Sequence, residues 1–538
     1  MSVDRNGFDE RPVAQAEFAS EMQLSPDGNH VAFINQFQLH VAARSQFGEL
    51  IDLDSAKPAF AVRQASKVGA TYIAWSPDSR AISWSVGAQL KTVGIEELMA
   101  ADYETPTAGN NLSISIAHAT PESALALTNA RVITMDADRA VVENATVLIV
   151  GNRIRSIASG VVPPAGFEVI DVAGKTIMPG IVDAHAHGPY AADELIPQQN
   201  WNLLAHLALG VTTVHNPSSS AKSAFAAAEY ARAGRILGPR IFSTGEIVYG
   251  AKSTSWAPID DLDDALAHVR RLAAQGAISV KNYNQPRREQ RQQVIEAARQ
   301  EGLISVAEGG SLYQLDMSMI ADGITGIEHN VPTLRMYDDV HQFWRQSGAG
   351  YTPTLVVTYG GLTSEDYFYQ HTEVWKHPIL SNFVPPAELQ ARSVRRVMAP
   401  EEEFRDDDAA AAAKVLMDAG IMVNIGAHGQ REGLASHWEM WSFARGGFSP
   451  MEALATATIN PARYLGMDRD IGSLEPGKLA DLIILDANPL EDIRNTDGIS
   501  HVMINGRLFR ASDLGEEVTG STVLTPFYWQ TTPQGQIR

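Results

Sequence analysis

The chain has 538 residues, of which 45% are hydrophobic and 20% charged, and its formal net charge is −21. This length predicts two or three globular domains rather than one. The acidity and the scattered Lys and Arg residues argue against a nucleic-acid partner. The sequence contains no cysteine, so disulfides and thiolate ligands are excluded and any metal must bind nitrogen and oxygen atoms.

The amino terminus is polar and lacks the apolar segment of a signal peptide. No apolar run approaches the roughly 18 residues that a membrane-spanning helix requires. We therefore expect no membrane partner. The compartment, cytoplasm or periplasm, stays open.

Residues 1–120 contain a repeated pattern of a turn followed by an alternating strand. Ser25-Pro26-Asp27 and Ser76-Pro77-Asp78 are both tight-turn sequences, and an apolar alternating segment follows each. The repeat resembles the blades of TolB-type β-propellers. Two blades cannot close a propeller, which needs about four. Either these strands form an appended sheet, or a homo-oligomer or a partner chain supplies the missing blades. The alternative is two unrelated hairpins with a shared turn sequence.

Two further segments, 121–177 and 466–515, predict one small composite β-sandwich. Residues 125–134 and 145–154 alternate in polarity, with a turn at Gly151-Asn152, and residues 502–507 repeat that strand–turn signature. Residues 516–538 form a C-terminal tail.

The segment 178–465 lies between these two and alternates apolar strands with helical stretches. This alternation is typical of a parallel α/β fold, and eight β/α units predict a TIM-type (β/α)8 barrel. The active site of such a barrel lies at the C-terminal ends of its strands. The eight predicted strands end near His187, His215, Gly245, Lys281, Glu308, His329, Val357 and His428.

The first of these strands ends in two histidines one residue apart, His185 and His187. Side chains at positions i and i+2 of a strand point to the same face. The two imidazoles can therefore bind one metal ion together.

This motif, with the Pro-Gly-Ile-Val-Asp that precedes it and the flanking β segments, resembles the amidohydrolase superfamily of metal-dependent hydrolases. The likeness is to its imidazolonepropionase-like and prolidase-like branch, and to the type that is fused to a TolB-like propeller. The resemblance implies one or two divalent ions, zinc above all. It also implies a CO2-derived carbamate on Lys281 that bridges two metals, and His329 as a ligand of the second metal.

The sequence departs from the family pattern at two strands. The fifth strand has Val306 where the family has a histidine, and Glu308 can reach the same face as a ligand or orient a ligand or substrate. The eighth strand has His428 in place of an aspartate. His428 can accept a proton from a metal-bound water or bind the metal, so the identity of the general base, His428 or Glu308, stays open.

Other polar and aromatic residues near the predicted strand ends are weaker candidates. His215, Tyr249 and Tyr283 are predicted to contact substrate. His437 and Glu439 are reserve candidates on a helix, and Glu328 is expected to point away from the barrel axis. The long segment 359–420 is interpreted as an aromatic lid, and its alternative role is an oligomer or inter-domain contact.

These features predict a hydrolase that uses a metal-activated water to cleave the C–N bond of an amide, in an N-acyl compound, a dipeptide or a cyclic amide. Its partner would be a small-molecule substrate. One alternative is an inactive scaffold or interaction protein with the same fold. Others are an ester, lactone or phosphotriester hydrolase, or a deaminase, on the same metal centre.

Overall fold

The computed structural model describes residues 6–44, 50–53, 61–192, 195–310, 312–520 and 524–531. Its elements have a mixed α/β arrangement with a β-rich N-terminal region. The N-terminal elements are β1 (Ala14–Gln15), β2 (Ala19–Leu24), β3 (His30–Asn35), β4 (Gln38–Ala43), β5 (Ile51–Asp52), β6 (Val62–Gln64), β7 (Thr71–Trp75), β8 (Ala81–Val86), β9 (Gln89–Gly94), α1 (Ile95–Leu98) and β10 (Asn110–Asn111).

Five strands follow, and after them strands and helices alternate. The five are β11 (Ala124–Ile133), β12 (Val141–Val150), β13 (Arg153–Ser159), β14 (Glu168–Asp171) and β15 (Thr176–Pro179). The first alternating elements are β16 (Ile181–Asp183), α2 (Trp201–Ala208), β17 (Val211–Asn216), α3 (Ala221–Arg232), β18 (Arg240–Ser243), α4 (Leu262–Gln275), β19 (Ser279–Asn282), α5 (Arg288–Gln300), β20 (Ile304–Glu308), α6 (Tyr313–Ala321), β21 (Gly326–Glu328), α7 (Asp338–Ser347) and β22 (Gly350–Thr352).

Helices dominate the next segment, and strands return near the C-terminus. The helices are α8 (Ser364–His371), α9 (Leu380–Phe383), α10 (Pro386–Gln390), α11 (Asp406–Asp418), α12 (Leu434–Arg445), α13 (Pro450–Thr456) and α14 (Ile459–Tyr464). The last elements are β23 (Leu482–Leu485), β24 (Ile499–Ile504), β25 (Arg507–Arg510) and α15 (Tyr528–Thr531). In the described part of the chain, none of these helices has the length and apolar character needed to cross a bilayer.

The chain divides into two compact units. Unit 1 contains residues 1–116 and 246–305, and unit 2 contains residues 117–245 and 306–538. Segment 246–305, which the sequence placed in the barrel, therefore groups with the N-terminal strands. The domain boundaries drawn from the sequence stay predictions.

Unit 1 contains two four-stranded antiparallel sheets, in the orders β2-β3-β4-β6 and β10-β9-β8-β7. The two repeated turns have the same bonding: Ser25 Oγ donates to Asp27 and Ser76 Oγ donates to Asp78, both at 2.6 Å. The hydrogen bond from Ser25 lowers the pKa of Asp27 to about 2. The matching turns show that the repeat is structural, whereas a propeller stays a prediction.

The N-terminal sheets pack against helix α4 within unit 1. The guanidinium of Arg271 lies 3.9 Å from the ring centroid of Phe37 and donates to Glu246 at 2.8 Å. A Cβ atom on Gly87 would lie 1.9 Å from the carbonyl oxygen of Ala274, so only glycine allows this close approach.

Unit 2 contains an eight-stranded sheet to which both sides of the chain contribute. Its order is β13-β12-β11-β15-β23-β24-β25, with β14 paired to β11. The central contact is the antiparallel pairing of β15 with β23, in which Thr176 lies opposite Leu485. Leu127, Val147, Ile177, Leu482 and Met503 are among the fully buried residues of its core. The two sequence segments that flank the helical region thus form one layer.

The remaining strands of unit 2 form a parallel array. The backbone of residues 421–428 joins β22 to β16: Tyr351 donates to Met422 O at 2.8 Å and His428 N donates to His185 O at 2.7 Å. The array therefore runs β18-β17-β16, then this segment, then β22-β21-β20. The closed eight-stranded barrel stays a prediction, because β19 belongs to unit 1.

Two predicted strands are shorter than expected. The seventh ends at Thr352 rather than near Val357, because Thr354 has a left-handed φ of +50° and residues Leu355–Val357 form a 3-10 turn. The eighth is reduced to one bridge, between Val423 and Tyr351.

A buried ion pair connects strand β18 to the eight-stranded sheet. Arg240 donates to both carboxylate oxygens of Asp481 at 2.9 and 3.1 Å, and to Asn505 at 3.2 Å. We expect Arg240→Ala to lower the free energy of unfolding by about 3–5 kcal/mol, because it leaves the buried Asp481 uncompensated. Urea unfolding measures this loss.

The matched control is Arg131→Ala, which removes a cation paired with Glu143, whose side chain is 58% exposed. An exposed pair contributes about 0–1 kcal/mol. Equal losses in the two variants would contradict a stabilising role for the Arg240 pair.

Candidate metal centre

Four histidines meet at the C-terminal ends of the unit 2 strands. They are His185, His187, His329 and His428, and their ring centroids lie 4.8 to 5.1 Å apart in five pairs. One nitrogen from each of His185, His329 and His428 lies within 4.8 Å of the other two. His185 Nε2 lies 3.1 Å from His187 Nε2. The structure therefore brings together the four imidazoles that the sequence predicted as ligands.

Two of these histidines leave their strands in a left-handed conformation. His329 directly follows β21 with a φ of +70°, and His428 has a φ of +57°. Non-glycine residues rarely adopt this region, and such strain is concentrated at functional sites. Gly429 must be glycine, because a Cβ atom there would lie 2.4 Å from the His187 carbonyl oxygen.

Asp183, at the end of β16, connects three elements beneath the histidines. Its carboxylate accepts from His185 N at 3.1 Å, from Ala427 N at 3.2 Å and from the hydroxyl of Ser436, on α12, at 2.9 Å. Burial raises the pKa of Asp183. The carboxylate thus fixes the backbone that carries both His185 and His428.

Helix α12 contributes a second buried carboxylate one turn further on. Glu439 accepts from Val356 N at 2.7 Å and from Gly426 N at 3.4 Å, and burial raises its pKa well above the ordinary value. Its neighbour His437 donates from Nε2 to Leu209 O at 2.9 Å, and burial lowers the pKa of His437 to about 4. Both reserve candidates therefore have structural partners on the backbone.

Asn216 determines which nitrogen of His187 carries the proton. The Asn216 Oδ1 atom accepts from Ser218 N at 2.9 Å and lies 3.0 Å from His187 Nδ1. Because an amide oxygen only accepts, His187 must donate from Nδ1. Its Nε2 atom then presents a lone pair toward His185.

Thr354 and Glu308 lie on the two sides of the His329 ring. The hydroxyl of Thr354 lies 2.7 Å from His329 Nδ1 and 2.8 Å from Pro353 O. A hydroxyl both donates and accepts, so either nitrogen of His329 can carry the proton. The Nε2 atom of His329 faces Glu308, whose Oε1 lies 3.1 Å away.

Glu328 lies on the other side of His185, with its Oε2 atom 3.5 Å from His185 Nδ1. The expectation that Glu328 points away from the barrel axis was wrong. That expectation counted strand parity back from His329, but the left-handed φ of His329 breaks the alternation at this residue. The Glu328 carboxylate is instead buried beside the His185 ring.

These residues satisfy a test for a metal ion. A histidine ligand of a metal typically donates its other ring N–H to a carboxylate, carbonyl or water, and His187, whose Nδ1 lies 3.0 Å from Asn216 Oδ1, is arranged in this way. Two nitrogens bound to one tetrahedral zinc at about 2.0–2.1 Å lie about 3.3 Å apart, close to the 3.1 Å between His185 Nε2 and His187 Nε2. Facing lone pairs at this distance need a cation or a proton between them.

Four further residues were predicted from the sequence as ligands or substrate contacts. Lys281 is 1% exposed on β19, in unit 1, and its carbamate stays a prediction. The rings of Tyr249 and Tyr283, also in unit 1, meet edge to face at 5.4 Å. His215 is fully buried and donates from Nδ1 to Ala184 O at 3.0 Å, next to His185. Substrate contact by these three residues stays a prediction.

Two aromatic residues that the sequence assigned to a lid, in segment 359–420, are buried instead. Phe368 and Tyr369, on α8, are 0% and 1% exposed and pack on Trp438 of α12 at 5.6 and 5.4 Å. Helical spacing directs them into the interior. Tyr359, at the start of the segment, lies at the site, with its ring 5.4 Å from that of His329.

The hydroxyl of Thr354 allows a direct test of its contact with His329. Thr354→Val keeps the shape but removes the hydrogen-bond partner of His329 Nδ1, and we expect metal affinity to fall by about 10- to 100-fold. Competition with a chelator of known affinity measures the change. The control is Thr358→Val, in the same turn, whose hydroxyl donates to Leu355 O. Equal affinities in both variants would contradict the assignment.

Asp316 on α6 makes folding stability depend on pH. Its Oδ1 atom accepts from Gly310 N at 3.1 Å, and burial raises the pKa of Asp316 from 3.8 to about 6. The stability that comes from tighter proton binding in the folded state is fully present below pH 3.8 and is lost as pH rises through 6. The shift corresponds to about 3 kcal/mol.

Asp316→Asn cannot titrate, and we expect it to lose this dependence. In metal-free protein, urea unfolding at pH 4.5 and pH 7 should show a larger decrease in stability for the wild type than for the variant. The same decrease in both proteins would contradict a raised pKa at this residue.

The fold is thus of the mixed α/β class, with a histidine cluster that could hold a metal ion. A sequence profile of the amidohydrolase family matches residues 176–509. This match covers more than half of the chain. The protein belongs to the amidohydrolase family.

The proteins that are similar to this chain carry the names of enzymes. The ochratoxinase of Aspergillus niger is 33% identical over 101 residues, which are 18% of this chain and 21% of that protein, so the match spans about a fifth of this relative. The imidazolonepropionase of Deinococcus radiodurans is 25% identical over 378 residues, 67% of this chain and 90% of the relative. A crystal structure of a Xaa-Pro dipeptidase with bound methionine has a TM-score of 0.55 at 21% identity, and the match covers 72% of this chain and 100% of the other. The last likeness shows the fold.

The sequence did not indicate the residues that orient the histidines. These residues are Asn216, Thr354, Glu328 and Tyr359. Each lies at or after the end of a strand, and no motif or spacing in the sequence identifies it as part of the site. Asp183 was the exception that could have been found, because it stands two residues before His185 in the motif itself.

Proposed function

We propose that this protein is a metal-dependent hydrolase that cleaves the C–N bond of an amide, in an N-acyl compound, a dipeptide or a cyclic amide. The observation that carries the proposal is the histidine cluster: one nitrogen from each of His185, His329 and His428 lies within 4.8 Å of the other two. Asn216 Oδ1 accepts from His187 Nδ1, so that His187 Nε2 faces His185 Nε2 at 3.1 Å.

The ligands in unit 2 would be His185, His187, His329 and His428. Nitrogen ligands without thiolates suit zinc or another divalent transition metal. A divalent ion at this position lowers the pKa of a water molecule toward about 7 and polarises a carbonyl group. Lys281 stays a candidate ligand, and a Lys281→Gln variant with unchanged metal content would remove it from the set.

Glu308 is our candidate for moving the proton. Its side chain is 17% exposed, and its Oε1 atom lies 3.1 Å from His329 Nε2. The carboxylate would take the proton from the attacking water and give it to the leaving nitrogen, as general base and then general acid. His428 is then free to act as a ligand, in keeping with its nitrogen lying within 4.8 Å of those of His185 and His329.

The activity test combines metal analysis with a substrate panel. We expect zinc-loaded protein to release amine or amino acid from at least one N-acyl amino acid, dipeptide or cyclic amide. Esters, lactones and phosphotriesters in the same panel, with an assay for ammonia, report the other reactions open to the same centre. Stoichiometric metal with no turnover of any compound would favour a scaffold protein and contradict the proposal.

We also propose that further copies of the chain, or a partner chain, complete a propeller from the two N-terminal sheets. Light scattering of the full chain tests this, with a mass above that of one chain as the expected result. A monomer would leave the sheets as an appended domain.

A further inference from the structure

We infer that Tyr359 forms one wall of the substrate site and selects amides that carry an aromatic or bulky aliphatic group beside the scissile bond. The inference rests on the proposed function and adds the substrate class. It depends on where Tyr359 lies, how it is held there, and what surrounds it.

The ring of Tyr359 lies directly against the histidine cluster. Its centroid is 5.4 Å from that of His329, at an interplanar angle of 40°. Tyr359 is 44% exposed, whereas His329 is 3% exposed. One face of the tyrosine therefore contacts a candidate ligand while much of the side chain is accessible from outside.

The chain holds this tyrosine in a fixed position. The side chain of Asn330, the residue after His329, accepts from Tyr359 N at 2.7 Å and donates to Tyr359 O at 3.4 Å. Asn330 is 5% exposed. The same short segment thus carries both the histidine and the amide that clamps Tyr359, so their relative position is set by bonds rather than by exposed packing.

A glycine leaves room for the ring on the side of Glu308. Gly310, two residues beyond Glu308, has a φ of +117°, and a Cβ atom there would lie 2.3 Å from the Tyr359 ring. A larger residue at 310 would displace the aromatic ring from the site. Tyr359 therefore lies between the strand end that carries Glu308 and the one that carries His329.

The loops after the two preceding strands also carry exposed apolar residues. Leu312 follows β20 and is 61% exposed, and Leu334 follows β21 and is 54% exposed. An apolar substituent of a substrate bound at the histidines would replace water on the exposed face of Tyr359, which favours binding.

The test measures the binding of two hydroxamates that share one metal-binding group and differ in their apolar arm. Acetohydroxamate and phenylacetohydroxamate are titrated calorimetrically into the zinc-loaded full chain, in wild type, Tyr359→Phe and Tyr359→Ala. We expect the wild type and Tyr359→Phe to favour the phenyl compound, and Tyr359→Ala to lose about three- to tenfold of that preference. Acetohydroxamate should bind all three proteins equally.

The control variant is Tyr337→Ala, which removes another exposed aromatic residue, 66% exposed, just before α7. It should leave the preference unchanged. An unchanged preference in Tyr359→Ala would overturn the inference, and so would an equal loss in Tyr359→Phe, which would assign the effect to the hydroxyl. Tyr359→Ala could also change only the mass measured by light scattering and leave the binding preference as in the wild type. This result would assign Tyr359 to a contact between copies of the chain and would also overturn the inference.

Failure of the proposed function would look different. If neither hydroxamate bound and the protein carried no ion, the metal centre itself would be refuted. If both compounds bound with equal affinity to every variant, the metal centre would stand and the aromatic wall would not.

Discussion

Replacing His185 by Asn should remove most of the bound metal and lower kcat by at least about a thousandfold. The asparagine keeps a polar group of similar size but removes the Nε2 atom that faces His187 Nε2 at 3.1 Å. The metal supplies several kcal/mol of the catalytic effect in such hydrolases, and each factor of ten in rate corresponds to about 1.4 kcal/mol. Plasma mass spectrometry of the purified variant, with turnover on the best substrate of the panel, measures both effects.

His206→Asn is a suitable control for this substitution. His206 is 3% exposed on α2, and its Nδ1 donates to Asn202 O at 2.8 Å, within one helical turn. Losing that bond should affect stability but not metal content. If His185→Asn kept both its ion and its activity, the assignment of the histidine cluster as a metal centre would be wrong.

Replacing Glu308 by Gln should lower kcat by about 10²- to 10⁴-fold while the ion stays bound. The amide has nearly the shape of the carboxyl group but cannot accept and return a proton, and positioned general bases contribute about this factor. Replacing His428 by Ala should instead reduce metal affinity, because we assign His428 as a ligand. The two variants therefore differ in which quantity changes.

The pair of variants also separates the two candidates for the base. Glu308→Asp, which keeps the carboxylate on a shorter side chain, should recover part of the rate lost in Glu308→Gln. A His428→Ala variant that kept its ion but lost most of its turnover, beside a Glu308→Gln variant with normal kcat, would transfer the role of base to His428.

The positions of the histidines could be predicted because they depend on backbone periodicity. His185 and His187 share a strand face at positions i and i+2, and His329 and His428 terminate apolar segments, so each was placed without knowledge of its contacts. Burial of Asp183 follows from the same apolar strand. These inferences needed only the local sequence.

The partners of the histidines could not be predicted, because they depend on turns that leave the strand geometry. The left-handed φ angles of His329 and Thr354 bring Nδ1 of one to the hydroxyl of the other, and they also direct Glu328 toward His185. The alternation of side chains between the two faces of a strand does not continue past such a turn. The grouping of 246–305 with the N-terminal strands likewise depends on the contacts of α4 with a distant sheet.

The similar proteins named above do not fix the substrate. The imidazolonepropionase match extends over 378 residues at 25% identity, and the dipeptidase likeness shows the fold. The chain itself offers more specific information, namely Glu308 where the family pattern has its histidine two residues earlier, and Tyr359 against His329. Glu308 Oε1 lies 3.1 Å from His329 Nε2, and the centroid of the Tyr359 ring lies 5.4 Å from that of His329.

The most direct test of the central claim is the metal content of the full-length protein purified without added metal. We expect at least one divalent transition-metal ion per chain, loss of turnover after prolonged dialysis against a chelator, and recovery when zinc is returned. Protein that contained no ion as purified and hydrolysed its substrate equally well before and after chelation would contradict the account.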